Sequence, residues 1–372
     1  MLVMPMGVFA EEGELLPNAH SGVLMDFATG EILFEKNKDD QVPVASMTKM
    51  VAQILILEEI EQGRLNWDDK VTASSNASNM GGSQIYLSTG EVMSVRDMFK
   101  GISMASANDA TVAMAEHIAG SESAFVEKMN AKVQSLGLQN THFKNCTGLD
   151  EDDHYSSAYD MAIIARELLK HDQILEFSSV YEDYLRTDTP NKFWLVNTNK
   201  LVRFYEGADG LKTGHTDNAK YCLAATAKQN NMRLIGIVLG EDESKVRNKE
   251  AMELLDYGFN NYQMNIIKNQ KDIIDEIKID KATKDKIVVV PTTDVGILSK
   301  KGTNVNDYQT NVKLNDINLP VRVGDIIGKL EIIQNGSVVK EIDLTVQENV
   351  LKQGFGTILL NHLKQLLSGN FI

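Results

Sequence analysis

Ser46 and Lys49, in the stretch "VPVASMTKMVAQILILEEIEQG", are residues whose types and spacing suit covalent chemistry. The apolar residues after them recur at helical spacing, and on a helix two residues three apart share a face. A serine hydroxyl is a weak nucleophile near neutral pH and needs a base. A lysine held against it in a partly dehydrated cleft loses its proton and becomes that base. Spacing alone decides nothing, because Ser337 and Lys340 in "SVVK" repeat it. That second copy lies in an alternating run, where positions i and i+3 of a strand point to opposite faces. Helical context singles out the first copy.

Two further groups follow it. Ser106, Ala107 and Asn108, in "ISMASANDATVAM", fall at a break between two helical patterns, where a hydroxyl and an amide could face a cleft together. Serine and asparagine are also ordinary helix-start residues, and Ser-x-Asn recurs at Ser74–Asn76 and Ser368–Asn370. Lys212, Thr213 and Gly214, in "GADGLKTGHTDNAKYCLAATA", directly precede strand-like sequence. The lysine supplies charge, the threonine a hydroxyl donor, and the glycine room for a substrate backbone to approach a strand edge. A lysine on an exposed edge strand is equally a common structural device. The seven histidines are scattered and show no triad or metal-ligand pattern.

The surrounding elements decide how these groups could meet. "SGVLMDFATGEILFEKN" holds two β-prone runs around Thr29 and Gly30, a hairpin signal. From Ser46 to about Gly63 the pattern is helical, with Met47, Met50, Val51, Ile54 and Leu55 on one side and Gly63 as a stop. Helical patterns continue through "SVRDMFKGISM", "DATVAMAEHIAG", "SESAFVEKMNAKVQSLG" and "SSAYDMAIIARELLK". Strand character returns at "KYCLAATAK" and "MRLIGIVLG", and the helix "SKVRNKEAMELLDYGF" closes this part near Tyr262. Strands at both ends with helices between predict an antiparallel sheet packed on a helical cluster, with a site at the seam. From about Asn265 the runs are short, alternating and separated by Gly, Asn and Asp, which predicts a small all-β domain. In the last segment Phe355, Ile358, Leu359, Leu363, Leu366 and Leu367 form one apolar stripe of an amphipathic helix.

A chain of 372 residues is long enough for more than one domain. Its formal net charge of −15, with no cluster of Lys and Arg, argues against a nucleic-acid partner. Two cysteines, Cys146 and Cys222, make neither a disulfide framework nor a zinc knuckle and read as buried thiols, with pairing in an oxidising compartment as the alternative. "MLVMPMGVFA" looks like the end of a secretory signal, and no apolar run reaches transmembrane length. Export without spanning is the expectation.

A helix-borne Ser-x-x-Lys, a later Ser-x-Asn and a late Lys-Thr-Gly, in that order, form the set of penicillin-binding proteins and class A β-lactamases. On "PVASMTKM", "NMGGSQIYL", "ASANDATVAMAEHIAG", "HYSSAYDMAIIARELL", "FWLVNTNKL", "DGLKTGHT" and "LLDYGF", the chain resembles the secreted, low-molecular-mass D-alanyl-D-alanine carboxypeptidases. It is similar in detail to their sporulation-associated subgroup in Gram-positive spore formers. The resemblance implies an α+β, penicillin-binding/β-lactamase-like transpeptidase domain, then a small all-β domain and an amphipathic helix. The corresponding divisions are a signal remnant at 1–10, the catalytic domain at 11–262, a β-sandwich at 263–350 and a membrane-associating helix at 351–372.

The implied reaction is removal of the terminal D-alanine from peptidoglycan stem peptides, at a site also acylated by β-lactams. Ser46 is then the nucleophile and Lys49 its base. Ser106 and Lys212 relay a proton to the leaving D-alanine, and Asn108 holds the substrate amide. The N–H groups of Ser46 and His215 form the oxyanion hole, Thr213 binds the terminal carboxylate beside Gly214, and Arg247 is a candidate partner for that carboxylate. The alternative for Arg247 is a solvated helix face. No cofactor or metal is implied, and the expected location is the outer face of the cytoplasmic membrane. Two departures stand out: Ala107 where glycine is usual, and Cys146 in "KNCTGL" where proline is usual. No Glu-x-x-Leu-Asn segment, which a class A β-lactamase needs, occurs between Asn145 and Tyr184. A D,D-endopeptidase with the same site, and a penicillin-binding wall sensor without turnover, remain open at this level.

Overall fold

The computed structural model describes residues 15–303, 308–334 and 336–354. The leader at 1–10 and nearly all of the proposed terminal helix lie outside them. The chain divides into two compact units, one ending at Asn261 and one beginning at Tyr262.

In the first unit β1 (Ser21–Asp26) and β2 (Ile32–Lys36) form the expected hairpin. Its turn is closed by Asp26, whose carboxylate accepts from the Thr29 N–H and hydroxyl at 2.8 and 2.7 Å. A one-turn 3-10 helix (Ala45–Thr48) leads into α1 (Lys49–Glu61). Then come β3 (Lys70–Thr72), the single turn α2 (Ser75–Ser78), β4 (Val92–Ser94), α3 (Val95–Ala105), α4 (Asn108–Ala119), α5 (Glu122–Ser135) and α6 (Ala158–Leu168). Short elements follow: α7 (Leu175–Ser178), β5 (Glu182–Leu185), β6 (Phe193–Val196) and α8 (Leu201–Phe204). The unit ends with β7 (Ala208–Thr216), β8 (Lys220–Gln229), β9 (Met232–Glu241) and α9 (Ser244–Asn261).

The main sheet is antiparallel in the order β2-β1-β9-β8-β7, with Ser21 opposite Leu239. It is built from both ends of the unit, as the sequence implies. Both its faces are covered, which explains why β1 is buried throughout rather than alternating. Val23, Met25, Ile235 and Ile237 face the helical cluster. On the other side α9 approaches so closely that a Cβ on Gly258 would lie 2.4 Å from Leu234 Cδ1 and 2.8 Å from Leu24 Cδ2. Serine side chains cap the helices: Ser94, Ser121 and Ser157 accept from the N–H groups of Asp97, Ala124 and Asp160.

Two local expectations change. Ser46 belongs to the 3-10 turn, not to the α-helix, which begins at Lys49. The predicted one-sided stripe of α1 is a helix buried nearly all round through Leu57, because it runs through the middle of the helical cluster.

The second unit is all-β. Strand β10 (Tyr262–Lys268) pairs with β13 (Val295–Lys300). The other sheet runs β11 (Asp275–Ile277), β12 (Ile287–Pro291), β16 (Ser337–Val346), β15 (Gly328–Gln334), β14 (Tyr308–Leu314). Val289, Val295, Ile332, Leu344 and Val346 belong to its core. Ser337 and Lys340 lie on β16, and the lysine donates to the Gly296 carbonyl at 3.0 Å, so that copy of the spacing is structural.

The N-terminal segment is fastened by a pair of carboxyl groups. Glu250 on α9 accepts from the Asn18 N–H, the Asn18 amide and the Ala19 N–H at 3.1, 2.6 and 3.2 Å. Glu241, at the end of β9, is buried beside it, and burial followed by its bond to Glu250 pushes its pKa up from 4.5 to about 8. A carboxyl whose pKa is higher folded than unfolded binds a proton on folding, so stability falls as pH rises from 4.5 towards about 8 and then levels off. We expect Glu241→Gln, which keeps the donor, to melt at the same temperature as wild type near pH 4.5 and several degrees above it at pH 9. Parallel melting curves across that range would count against a shared proton.

Candidate active site

The sequence-predicted groups converge at the seam between the helical cluster and the edge strand β7. Lys49 is fully buried at the start of α1. Its Nζ lies 2.8 Å from Ser46 Oγ, 2.6 Å from Asn108 Oδ1 and 2.6 Å from the Thr147 carbonyl. All three partners are neutral oxygens. Burial is the largest influence on the amine and lowers its pKa from 10.5 to about 7, outweighing the attraction of Cys146 and Asp109.

Lys212 forms the second Ser–Lys pair. It is 1% exposed, and its Nζ donates to Ser106 Oγ and to the Thr213 carbonyl, both at 2.8 Å. Burial pushes its pKa well down, and the charges of Lys49 and Arg247 add to the shift. Ser106 ends α3 in a left-handed conformation at φ 61°, and Asn108 opens α4 two residues later. That break turns the Ser106 hydroxyl towards β7 while Asn108 faces α1. Asn108 Nδ2 donates to the Gly81 carbonyl at 2.7 Å, and its N–H donates to the Ser83 carbonyl, also at 2.7 Å. The amide thus ties the loop 79–87 to Lys49.

The 3-10 turn that carries Ser46 is gripped between two glycines. A Cβ on Gly148 would sit 1.9 Å from the Ala45 carbonyl oxygen and 2.9 Å from Ser46 N. One on Gly214 would sit 2.7 Å from the Val44 carbonyl oxygen and 3.3 Å from Ser46 N. Gly214 therefore admits the turn that carries Ser46 to the strand, where the sequence suggested room for substrate. Lys212, Thr213 and Gly214 also lie inside β7 rather than ahead of a strand.

Thr213 donates its hydroxyl to Thr198 Oγ1 at 2.7 Å. His215 is exposed, and its ring stacks on Tyr221 at 4.1 Å. Arg247 is not on a solvated face. It is 5% exposed beneath β8, donating from Nη1 to the Cys222 carbonyl at 3.2 Å and from Nε and Nη2 to Asn248. Burial lowers its pKa to about 10, so it stays cationic at neutral pH. Both cysteines are buried and free.

Several contributors escape a reading of side-chain types. The Thr147 carbonyl is aimed by Asn145, whose Oδ1 accepts from the Thr147 N–H, the Thr147 hydroxyl and the Gly148 N–H. The sequence signal for it is "NCTG", an asparagine whose side chain closes a turn ahead of a glycine. Buried His154 accepts from the Lys144 N–H at Nδ1, which leaves Nε2 to donate to Thr48 Oγ1 at 2.8 Å. Burial is the largest cause that lowers its pKa to about 4, so it is a neutral brace behind the turn. Among the described residues no group of three or more His, Cys, Asp or Glu could hold a metal.

The family model for D-alanyl-D-alanine carboxypeptidase matches residues 10–243. The chain belongs to this family. The model for the C-terminal domain of penicillin-binding protein 5 matches residues 262–352. This carboxypeptidase-family chain is 46% identical over 347 residues to D-alanyl-D-alanine carboxypeptidase DacF of Bacillus subtilis, covering 93% of the chain and 89% of that protein. The structure of penicillin-binding protein 5 from Haemophilus influenzae is 32% identical with a TM-score of 0.71, covering 92% of this chain and all of that one (100%). Penicillin-binding protein D2 of Listeria monocytogenes, solved with ampicillin bound, is 31% identical with a TM-score of 0.59, over 65% of this chain and 97% of its own. The α+β, penicillin-binding fold with a following all-β domain is thus shown.

The grip on the Ser46 turn gives a test. Gly214→Ala needs no unusual backbone, yet its methyl group meets the Val44 carbonyl and the Ser46 N–H. Misplacing a reacting atom by about 1 Å costs on the order of 10²-fold in rate. We expect acylation by a fluorescent penicillin to slow by that order, with little change in melting temperature. An unaltered acylation rate would show that the turn is held by other means.

Proposed function

We propose that the protein is a serine D-Ala-D-Ala carboxypeptidase that removes the terminal D-alanine from peptidoglycan stem pentapeptides through an acyl-enzyme on Ser46. The observation that carries this reading is the 2.8 Å contact between Ser46 Oγ and a fully buried Lys49 whose pKa is about 7. Neutral Lys49 takes the hydroxyl proton as Ser46 Oγ attacks the carbonyl carbon of the penultimate D-alanine. The negative charge that develops on the carbonyl oxygen is received by the N–H groups of Ser46 and His215, and one such donor is worth about 3 kcal/mol of barrier. The C–N bond breaks as the Ser106–Lys212 pair delivers a proton to the departing amine. Water then cleaves the ester and regenerates Ser46.

Thr213 and its partner Thr198 receive the terminal carboxylate, and Asn108 offers its second Nδ2 proton to the substrate backbone. Arg247 acts from beneath β8 as fixed positive charge that keeps Lys212 from holding its proton tightly and favours an anionic substrate end. A β-lactam opens on the same serine and stays attached. Similarity to named carboxypeptidases, and to a relative solved with ampicillin, supports this assignment.

The direct assay is D-alanine release from diacetyl-Lys-D-Ala-D-Ala. Wild type is expected to release it and Ser46→Ala to fall to background. A base must be neutral, so kcat/KM should climb with pH through about 7 and flatten above it. Release by both proteins or by neither would defeat the assignment. A pH profile flat from 5 to 9 would remove Lys49 as the base.

The proposed location is the outer face of the cytoplasmic membrane, with residues 351–372 as the anchor and the β domain as a spacer. No helix among the described residues is long and apolar enough to cross a membrane; the apolar stripe in the sequence of the last segment suits an interfacial helix. Deleting everything after Val350 should move the protein from the membrane to the soluble fraction while sparing turnover. Equal retention of the truncated form would sink the anchor.

A further inference from the structure

Tyr86 is 69% exposed, although Ile85 and Leu87 on either side are buried. Its backbone lies at φ 57°, in the left-handed region that a residue with a Cβ rarely adopts. Two charged side chains hold it there. Fully buried Asp109, adjacent to Asn108, accepts from the N–H groups of Ile85 at 3.1 Å and Leu87 at 3.0 Å. Arg186, itself tied to Glu91 at 2.6 Å, donates to the carbonyls of Ile85 at 2.9 Å and Tyr86 at 3.4 Å. Strain of this kind persists only where the surroundings over-determine it, and it gathers at ligand clamps. Here the clamp serves to hold an aromatic ring out in solvent.

The ring stands on the loop that Asn108 ties to Lys49. Its loop also carries Gly81 and Ser83, whose carbonyls accept from Asn108. Phe193 meets it edge-on, with ring centroids 5.8 Å apart at 71°. Phe193 opens β6, which runs on to Thr198 and so to the Thr213 hydroxyl. Tyr86 and Phe193 therefore join the wall anchored at Asn108 to the wall anchored at Thr213.

We propose that Tyr86 is a specificity residue that stacks on a sugar of the glycan strand bearing the stem peptide. The inference rests on the carboxypeptidase reading and extends it to the polymer. Four residues of extended peptide, the separation between the scissile carbonyl and the sugar, span about 13 Å. Tyr86 is three residues from Ser83, at most about 10 Å of chain from the catalytic asparagine's contact. A stem peptide of alanines, a glutamate and a diamino acid has no flat apolar face to match an aromatic ring. The C–H face of an amino sugar is flat.

Tyr86→Gly removes the ring and suits the left-handed backbone, so loss of the ring is separated from loss of the loop. For a disaccharide pentapeptide kcat/KM should fall about five- to tenfold, mostly through KM, the size of one aromatic contact. D-alanine release from diacetyl-Lys-D-Ala-D-Ala and acylation by penicillin should stay within about twofold of wild type, and Tyr86→Trp should restore the polymer-like substrate. Equal losses on both substrates, or none on either, would overturn the sugar contact. Binding of the disaccharide pentapeptide to Ser46→Ala, with and without Tyr86→Gly, reads the same contact without turnover. A wild type inert on every peptide would then fault the carboxypeptidase reading, while the binding pair still decides the role of Tyr86.

Discussion

Among the described residues Lys49 touches no carboxylate, and the site is organised around that fact. An ammonium ion taken fully out of water needs a carboxylate or must give up its proton. Lys49 meets a hydroxyl, an amide oxygen and a backbone carbonyl instead. Those partners hold the amine in place without stabilising its charge as an anion would. A second buried lysine, Lys212, and the cationic Arg247 nearby raise the cost of a full set of protons further. The result is an amine whose pKa lies near neutral, reached at Lys49 through burial, while like charge adds to the shift at Lys212.

Keeping that amine dry explains features that look unrelated. α1 is buried on nearly every side because its first residue has to be. The left-handed turn at Ser106 and the helix start at Asn108 bring two polar groups to the same wall from consecutive segments, each aimed at a different lysine. Gly148 and Gly214 remove side-chain bulk where main chain has to touch main chain, so Ser46 is located by backbone contact from both sides.

Ser46, Lys49, Ser106, Asn108 and Lys212 stand out in the sequence through the ordered combination of three motifs, since Ser-x-x-Lys and Ser-x-Asn each recur elsewhere in the chain. The hairpin, the helical cluster and the returning strands can be read from periodicity. Thr147 cannot, since its contribution is a carbonyl that every residue possesses. The task of Gly214 is hidden for a similar reason: its neighbour, the 3-10 turn Ala45–Thr48 with Val44 before it, lies some 170 residues earlier and is brought alongside only by the sheet. Arg247 sits on a helix whose pattern leaves its exposure open, and only the packing of α9 under β8 decides it. Tyr86 stands between the buried Ile85 and Leu87, and its outward face follows from a backbone angle that composition does not encode.

The sheet order has a consequence for when activity arises. β1 can be completed only by β9, with Ser21 opposite Leu239, and Lys212 reaches Ser106 only once β7 has joined the same sheet. A ribosome that has released Ser46, Lys49 and the Ser106–Asn108 wall has not yet supplied Lys212. Closing so long a loop is slow relative to local helix formation. The nascent chain therefore lacks the completed seam, with one edge of β1 held by β2 and the other unpaired, until about two-thirds of the sequence has emerged.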